Sequence, residues 1–214
     1  MQVVEIFNSI EGEGKRAGLP CTFIRLHGCN LNCSYCDSRY ACEDSSYCVR
    51  SVAEILMAVE LFGCKTVTVT GGEPMIHPGI RSLLEELSKA GYWVNVETNG
   101  SSDELWDNIP NVFYTVDYKS LSSGMNDKMM PESFYHCLRK QDVIKCVVGD
   151  VEDMNDFLCM IEEAQPEAQI YLSPIFGKIE ASQLVDFIKD HCLWNWRVQL
   201  QMHKYIWNPN KRGV

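Results

Sequence analysis

A chain of 214 residues, 46% of them hydrophobic, is long enough to bury one sizeable core. Its 29 acidic against 19 basic residues give a net charge of −10, which argues against a broad phosphate-binding face and against nucleic acid as a direct ligand. Met1 to Lys15 holds no basic segment followed by an apolar one, and no run approaches the ~20 apolar residues that span a bilayer, so a cytoplasmic protein with no membrane partner is expected.

No linker, charge block or repeat divides the chain, and one domain over residues 1–214 is expected. Eleven cysteines are an odd number in a chain with no export signal, which favours metal or redox chemistry over a disulfide scaffold.

In chain order, CTFIRL (21–26) reads as the first strand, and Ser51 with Glu54 forms a capping box that opens the helix AEILMAVELFG. TVTVT (66–70) is the next strand, followed by a helix from Ile80 to Ala90 that stops at Gly91. WVNVE (93–97), VFYTV (112–116), VIKCVV (143–148), QIYL (169–172) and RVQLQ (197–201) continue the series, with helices at Asp150 to Ala164 and Glu180 to Cys192 between the last three. Alternation of this kind means α/β architecture with parallel strands and right-handed crossovers. About seven strands are too few for a closed eight-unit barrel, so an incomplete TIM-like barrel of βα repeats is expected ahead of a doubly wound sheet.

A polar cluster follows each of six strands: HGCNLNCSYCDS, GGEP, TNG, DYKS, SPIF and MHK. In parallel α/β folds those strand ends share one face, so the six clusters are expected to line a single cavity.

Cys29, Cys33 and Cys36 have the spacing C-x3-C-x2-C. Three thiolates fill three irons of a [4Fe–4S] cubane and leave the fourth open to a small molecule. The alternative is a closed zinc site with Cys42 or Cys48 as fourth ligand, but only one short C-x2-C pair is present.

The spacing resembles the signature of the radical S-adenosylmethionine (SAM) superfamily, and GGEP (71–74) resembles its second motif, whose backbone meets the methionine amine of SAM. At the front, EIFNSIEGEG (5–14) with FIRLHGCNLNCSYCDS, and at the back RVQLQMHKYIWNPNKRGV, resemble the 7-carboxy-7-deazaguanine synthase family from residue 3 onward. The resemblance implies a radical SAM fold and a lyase reaction of queuosine and deazapurine biosynthesis. In it, 6-carboxy-5,6,7,8-tetrahydropterin rearranges to 7-carboxy-7-deazaguanine with loss of ammonia. It further implies that SAM, cleaved by one electron from the cluster, yields a 5′-deoxyadenosyl radical that takes hydrogen from C6 of the pterin and later returns it. The cofactors carry this chemistry, and no side chain is assigned as catalytic.

The same resemblance assigns roles by position. Cys29, Cys33 and Cys36 hold the cluster; Tyr35, Asp37, Gly72, Asp117, Tyr118 and Lys119 contact SAM, with Glu97 and Asn99 as additions; Ser38 holds Mg²⁺ where the family usually has threonine. Ile10, Glu11, Gly12, Arg25 and Thr70 meet the substrate, Arg25 offering a planar fork for a carboxylate. Tyr35 also reads as core packing, Asp117 with Lys119 as a surface pair, Glu13 as a solvated turn residue, and His203 equally as structural or pocket-lining. Glu11 replaces the usual glutamine, exchanging an amide for an acceptor-only carboxylate that still suits pterin N–H groups. A homodimer and an electron donor such as flavodoxin or ferredoxin are also implied.

Cys21, Cys64, Cys137, Cys146, Cys159 and Cys192 sit in apolar patterns and are expected to be buried packing residues. A glycyl-radical activase shares the cysteine spacing and is the nearest enzyme alternative; a non-catalytic zinc module is the alternative from another class.

Overall fold

The computed structural model describes residues 1–43, 46–102, 109–209 and 211–214. Strand β1 (Gln2–Ile10) runs antiparallel to β2 (Pro20–Leu26); after the short helix α1 (Tyr40–Glu43) the two-residue β3 (Cys48–Val49) pairs antiparallel with the other edge of β1. Helix α2 (Val52–Glu60), β4 (Thr66–Gly71), α3 (Ile80–Lys89), β5 (Trp93–Thr98) and β6 (Val112–Tyr118) follow. The second half holds α4 (Glu132–His136), β7 (Val143–Val148), α5 (Val151–Ala164), β8 (Gln169–Pro174), α6 (Ala181–Asp190), β9 (Trp196–Val198) and α7 (His203–Ile206). Among the described residues nine strands form one sheet in the order β3-β1-β2-β4-β5-β6-β7-β8-β9, parallel from β2 to β9 and with its two edges unpaired to one another. This is the open, incomplete barrel.

The expected strands all form, with two differences at the ends of the sheet. β1 and β3 come in addition, because a nine-residue run of mixed polarity pairs with β2 across the EGEG turn without showing clean alternation. The last strand stops at Val198, where RVQLQ was expected to run on to residue 201. Gln199 and Gln201 are both buried, and their amides donate to the Gly14 carbonyl (3.1 Å) and to Asp37 (3.5 Å), so the backbone leaves the ladder to serve these inward contacts.

Strand alternation gives the sheet two chemically different faces. Ile24, Val67, Val69, Val94, Val96, Val116, Ile144, Val148 and Leu172 pack with Leu83, Leu87, Phe157 and Leu184 of the helices into the core. The intervening residues Arg25, Thr70, Glu97, Asp117 and Lys145 fall on the other face, as the register pairs Arg25↔Thr70, Glu97↔Thr115 and Asp117↔Lys145 require. A parallel sheet is usually apolar on both faces, so this polar inner face marks the ligand side.

The capping box at Ser51 is formed, its hydroxyl accepting from the Glu54 amide while the Glu54 carboxylate accepts from the Ser51 amide. Ser51→Ala is expected to cost about 1 kcal/mol, read as a lower midpoint of chemical denaturation with unchanged slope. Among the described residues no helix is long and apolar enough to cross a membrane.

The reading of the spare cysteines as packing residues needs correction. Cys21 and Cys146 are buried and Cys64 is half-buried, but Cys137, Cys159 and Cys192 are exposed. Cys137 caps α4, Cys159 takes the outer side of α5, and Cys192 sits at φ 56° just beyond α6, positions where an apolar neighbourhood in sequence does not become one in space.

Candidate functional site

Beyond the C-terminal ends of the parallel strands lies a cavity of about 330 Å³. All six polar clusters contribute to its walls: Cys29, Cys33 and Cys36; Gly71 and Gly72; Asn99; Asp117 and Lys119; Ile175 and Phe176; and Lys204. A second cavity of about 130 Å³ is lined by Ile10, Glu11, Gly12, Arg25 and His203, with Lys211, Arg212 and Val214 from the closing segment. Glu13, Asp37, Ser38, Thr70 and Glu97 line both, so the two are adjoining chambers with a common wall. Asn210 of the closing segment lies outside the described residues.

The cysteine loop is held by backbone. Gly72 N–H donates to the Leu26 carbonyl (3.0 Å), Glu73 N–H to the Gly28 carbonyl (2.8 Å), and Gly28 N–H to Ala41 O (3.0 Å). The Cys29 thiol falls to about 6 and the Cys36 thiol to about 7, chiefly because the Cys42 thiol hydrogen-bonds to each, whereas burial raises Cys33. All three are free thiols on one loop facing one cavity, which is the donor set a cubane cluster needs. Cys42 lines the cavity, but Cys48 is exposed on β3 and does not, which leaves the zinc alternative one candidate for its fourth ligand.

Glu73 anchors the far side of the GGEP turn. Its carboxylate accepts from the Met75 amide (2.9 Å), the Thr98 hydroxyl (2.8 Å) and the Asn99 amide (2.6 Å), and Asn99 in turn donates towards Cys29 Sγ (3.7 Å). Burial nonetheless raises the Glu73 carboxyl from 4.5 to about 7. The folded protein therefore binds a proton that the unfolded chain releases, and this group's contribution to stability is lost as pH rises from about 4.5 through 7. Glu73→Gln is expected to flatten that part of the pH–stability curve; a slope equal to wild type in melts between those limits would refute the assignment.

On the ligand side of β6, Lys119 Nζ lies 2.6 Å from Asp117 Oδ2, both side chains largely buried, so the pair belongs to the cavity and is not a surface pair. Burial opposes the charge on Lys119, but Asp117 outweighs it and holds the ammonium well above its ordinary range. The Tyr35 hydroxyl donates to Val147 O (3.3 Å) while its ring lines the cavity. The Tyr118 side chain is the exception. Its hydroxyl donates to Asp156 (2.9 Å) and its ring packs on Tyr135 and Phe157, because alternation turns it to the helix side when Asp117 faces in. Only its backbone remains for a ligand on the inner face.

Glu11 lines the smaller chamber with one carboxylate oxygen engaged. Its Oε1 accepts from Arg16 Nη2 (2.5 Å) and from the Thr68 hydroxyl, and the residue is 1% exposed, so that oxygen is held in a buried ion pair. Arg16 donates further to Val67 O (3.0 Å) and Trp93 O (2.5 Å) and lies over the Trp93 and Phe113 rings. The EGEG turn is thereby pinned against the inner face of β4 and β5. Its Gly12 lies against the His203 ring, and its carbonyl accepts from Met202 N–H (2.9 Å), so His203 both supports the turn and lines the smaller chamber.

Arg25 donates through Nε to Glu5 (2.8 Å) and through Nη1 to the Ser38 hydroxyl (3.3 Å), with its guanidinium between the Phe7 and Tyr40 rings. The Ser38 hydroxyl also lies 3.2 Å from Asp37 Oδ1, giving the hard oxygen donors that suit magnesium. Glu97 accepts from Thr70 (3.1 Å), and burial raises its carboxyl to about 7 against the pull of Lys145.

Residues 23–137 match the radical SAM superfamily. The 7-carboxy-7-deazaguanine synthase of Clostridium acetobutylicum is 45% identical over 219 residues, with 100% of this chain and 99% of the relative covered. The chain belongs to the 7-carboxy-7-deazaguanine synthase family. A second member, from Chlorobaculum tepidum, is 36% identical with 100% and 97% of the two chains covered. Within this family, QueE from Escherichia coli has a crystal structure that matches with a TM-score of 0.76 at 28% identity, over 94% of each chain. SuiB from Streptococcus suis, at 17% identity and a TM-score of 0.59 over 83% of this chain and 48% of its own, shares the fold.

Sequence reasoning passed over Arg16, Lys145 and the cavity-lining role of Lys211 and Arg212, while Lys204 belongs to the MHK cluster expected at the cavity. Lys145 carried a usable signal, as a lone charge inside the apolar run VIKCVV. Arg16 carried none, because its partners come from three separate strands.

Proposed function

We propose that this protein converts 6-carboxy-5,6,7,8-tetrahydropterin to 7-carboxy-7-deazaguanine and ammonia as a radical SAM enzyme. The observation that carries the reading is the pair of adjoining chambers, with the cluster cysteines in one and Arg25 in the other, separated only by residues that line both. Bound there, the cluster and SAM supply radical initiation at the reacting carbon.

The chain's own residues would bind and orient. Cys29, Cys33 and Cys36 hold the cluster; Gly72 and Asn99, with Tyr35, Asp37, Asp117 and Lys119, frame SAM, Tyr118 through its backbone alone. Arg25 would meet the substrate carboxylate and Ser38 would hold Mg²⁺ beside it, while Ile10, Gly12 and Thr70 would line the ring. Glu11 joins them, and the ion pair of its Oε1 with Arg16 fixes the EGEG backbone. Enclosure of both reactants keeps water from the reacting carbon. The glycyl-radical activase alternative is not favoured, since the relatives found are 7-carboxy-7-deazaguanine synthases.

The same reading extends to one domain, a cytoplasmic homodimer, and flavodoxin or ferredoxin as electron donor. The deciding experiment is anaerobic turnover of the reconstituted protein with 6-carboxytetrahydropterin, SAM, Mg²⁺ and a reductant. Formation of 7-carboxy-7-deazaguanine without stoichiometric loss of SAM is expected; SAM cleavage to 5′-deoxyadenosine with no deazapurine would reject the substrate.

A further inference from the structure

Lys145 is 5% exposed, in a strand whose six residues are all buried. Strand register places it beside Asp117 on the inner face, and it lines the larger cavity. Its ammonium lies 3.3 Å from Glu13 Oε2 and 3.9 Å from Asp117 Oδ2, and these carboxylates hold its charge well in place against burial. Glu13 comes from the EGEG turn and Asp117 from the strand that carries Lys119. Lys145 thus ties the turn at the smaller chamber to the strand at the cluster side.

The other oxygen of each carboxylate is the informative one. Glu13 Oε1 and Asp117 Oδ1 are buried and have no hydrogen-bond partner. Among the described residues they are the only such side-chain atoms on residues that line either of the two chambers. A buried carboxylate oxygen without a donor carries a standing cost, which ends when a ligand N–H or O–H meets it. Each carboxylate thus has one oxygen satisfied by a lysine and one without a donor, on residues that line the cavity.

We propose that Lys145 is a positioning residue that grips Glu13 Oε2 and, across the ion pair it shares with the Lys119-bound Asp117 Oδ2, fixes the turn so that Glu13 Oε1 is presented to a ligand donor. Glu13, shared by both chambers, takes ring N–H or amino groups of the pterin; Asp117, confined to the cluster chamber, takes the ammonium or ribose hydroxyls of SAM. The assignment rests on the proposed function for the identity of these ligands.

The test is equilibrium binding to anaerobic, cluster-loaded protein, with SAM and with 6-carboxypterin, an oxidised analogue that has no hydrogen at C6 to lose. Lys145→Met is expected to weaken 6-carboxypterin about tenfold or more, Glu13→Gln weakens it by a similar factor, and both leave SAM within about twofold because Lys119 still holds Asp117. If Lys145→Met does not fold, Glu13→Gln alone decides by that split. An unchanged 6-carboxypterin affinity in either variant, beside a wild type that binds both ligands, overturns the proposal alone. A wild type that takes up SAM but not 6-carboxypterin overturns the substrate reading and the Glu13 assignment with it.

Discussion

Gly72→Ala is expected to yield a folded protein that takes up little iron and turns over below about 1% of wild type. Gly72 N–H is bonded to the Leu26 carbonyl, and a Cβ at this position would overlap the Gly28 carbonyl and sit 2.9 Å from the Cys29 amide. Both obstacles are backbone, so no side-chain rotation relieves them. The turn must separate from the loop, and Cys29 moves with it. The contact lies just beyond the last residue pair of β2 and β4, Leu26 with Gly71, and involves no helix, so far-ultraviolet circular dichroism should be unaltered. Gly79→Ala is the control, since a Cβ there meets only the Met1 side chain, at 3.4 Å. Wild-type iron and sulfide content in Gly72→Ala, with wild-type turnover, would show that the turn does not support the cluster loop.

The second large effect falls on stability. Arg16→Met should cost about 3–5 kcal/mol, because it leaves the Glu11 carboxylate buried with the Thr68 hydroxyl but without its cation. In a domain of this size that is a fall of roughly 10 °C in melting temperature. Glu11→Gln should cost less than about 2 kcal/mol, as an amide oxygen still accepts from Arg16 and the family's usual residue is restored. Melting of Arg16→Met within about 2 °C of wild type would mean that the pair contributes little beyond what methionine packing replaces. The two variants together separate the charge from the shape of the turn.

What the sequence determined by itself is what depends on neighbours in the chain. The C-x3-C-x2-C spacing puts three thiols on one loop whatever the rest of the fold does, and the alternation in TVTVT already assigns Val67 and Val69 to one face and Thr68 and Thr70 to the other. The capping box at Ser51 is local in the same sense, and it formed as read. The same period of two placed Tyr118 opposite Asp117, a signal present in DYK and outweighed by reading the motif as one unit.

Tertiary structure alone decided the partners of the buried charges. Lys145 meets Glu13 across 132 positions of chain, and Arg16 reaches Val67, Thr68 and Trp93 from more than fifty positions away, so no window of sequence contains both ends of either contact. It also decided that Glu11 Oε1 meets Arg16 and the Thr68 hydroxyl of β4. The physical reason is shared: a charge can be buried only where strands brought together by the fold supply the partners its near neighbours do not, and that match is settled when the sheet assembles.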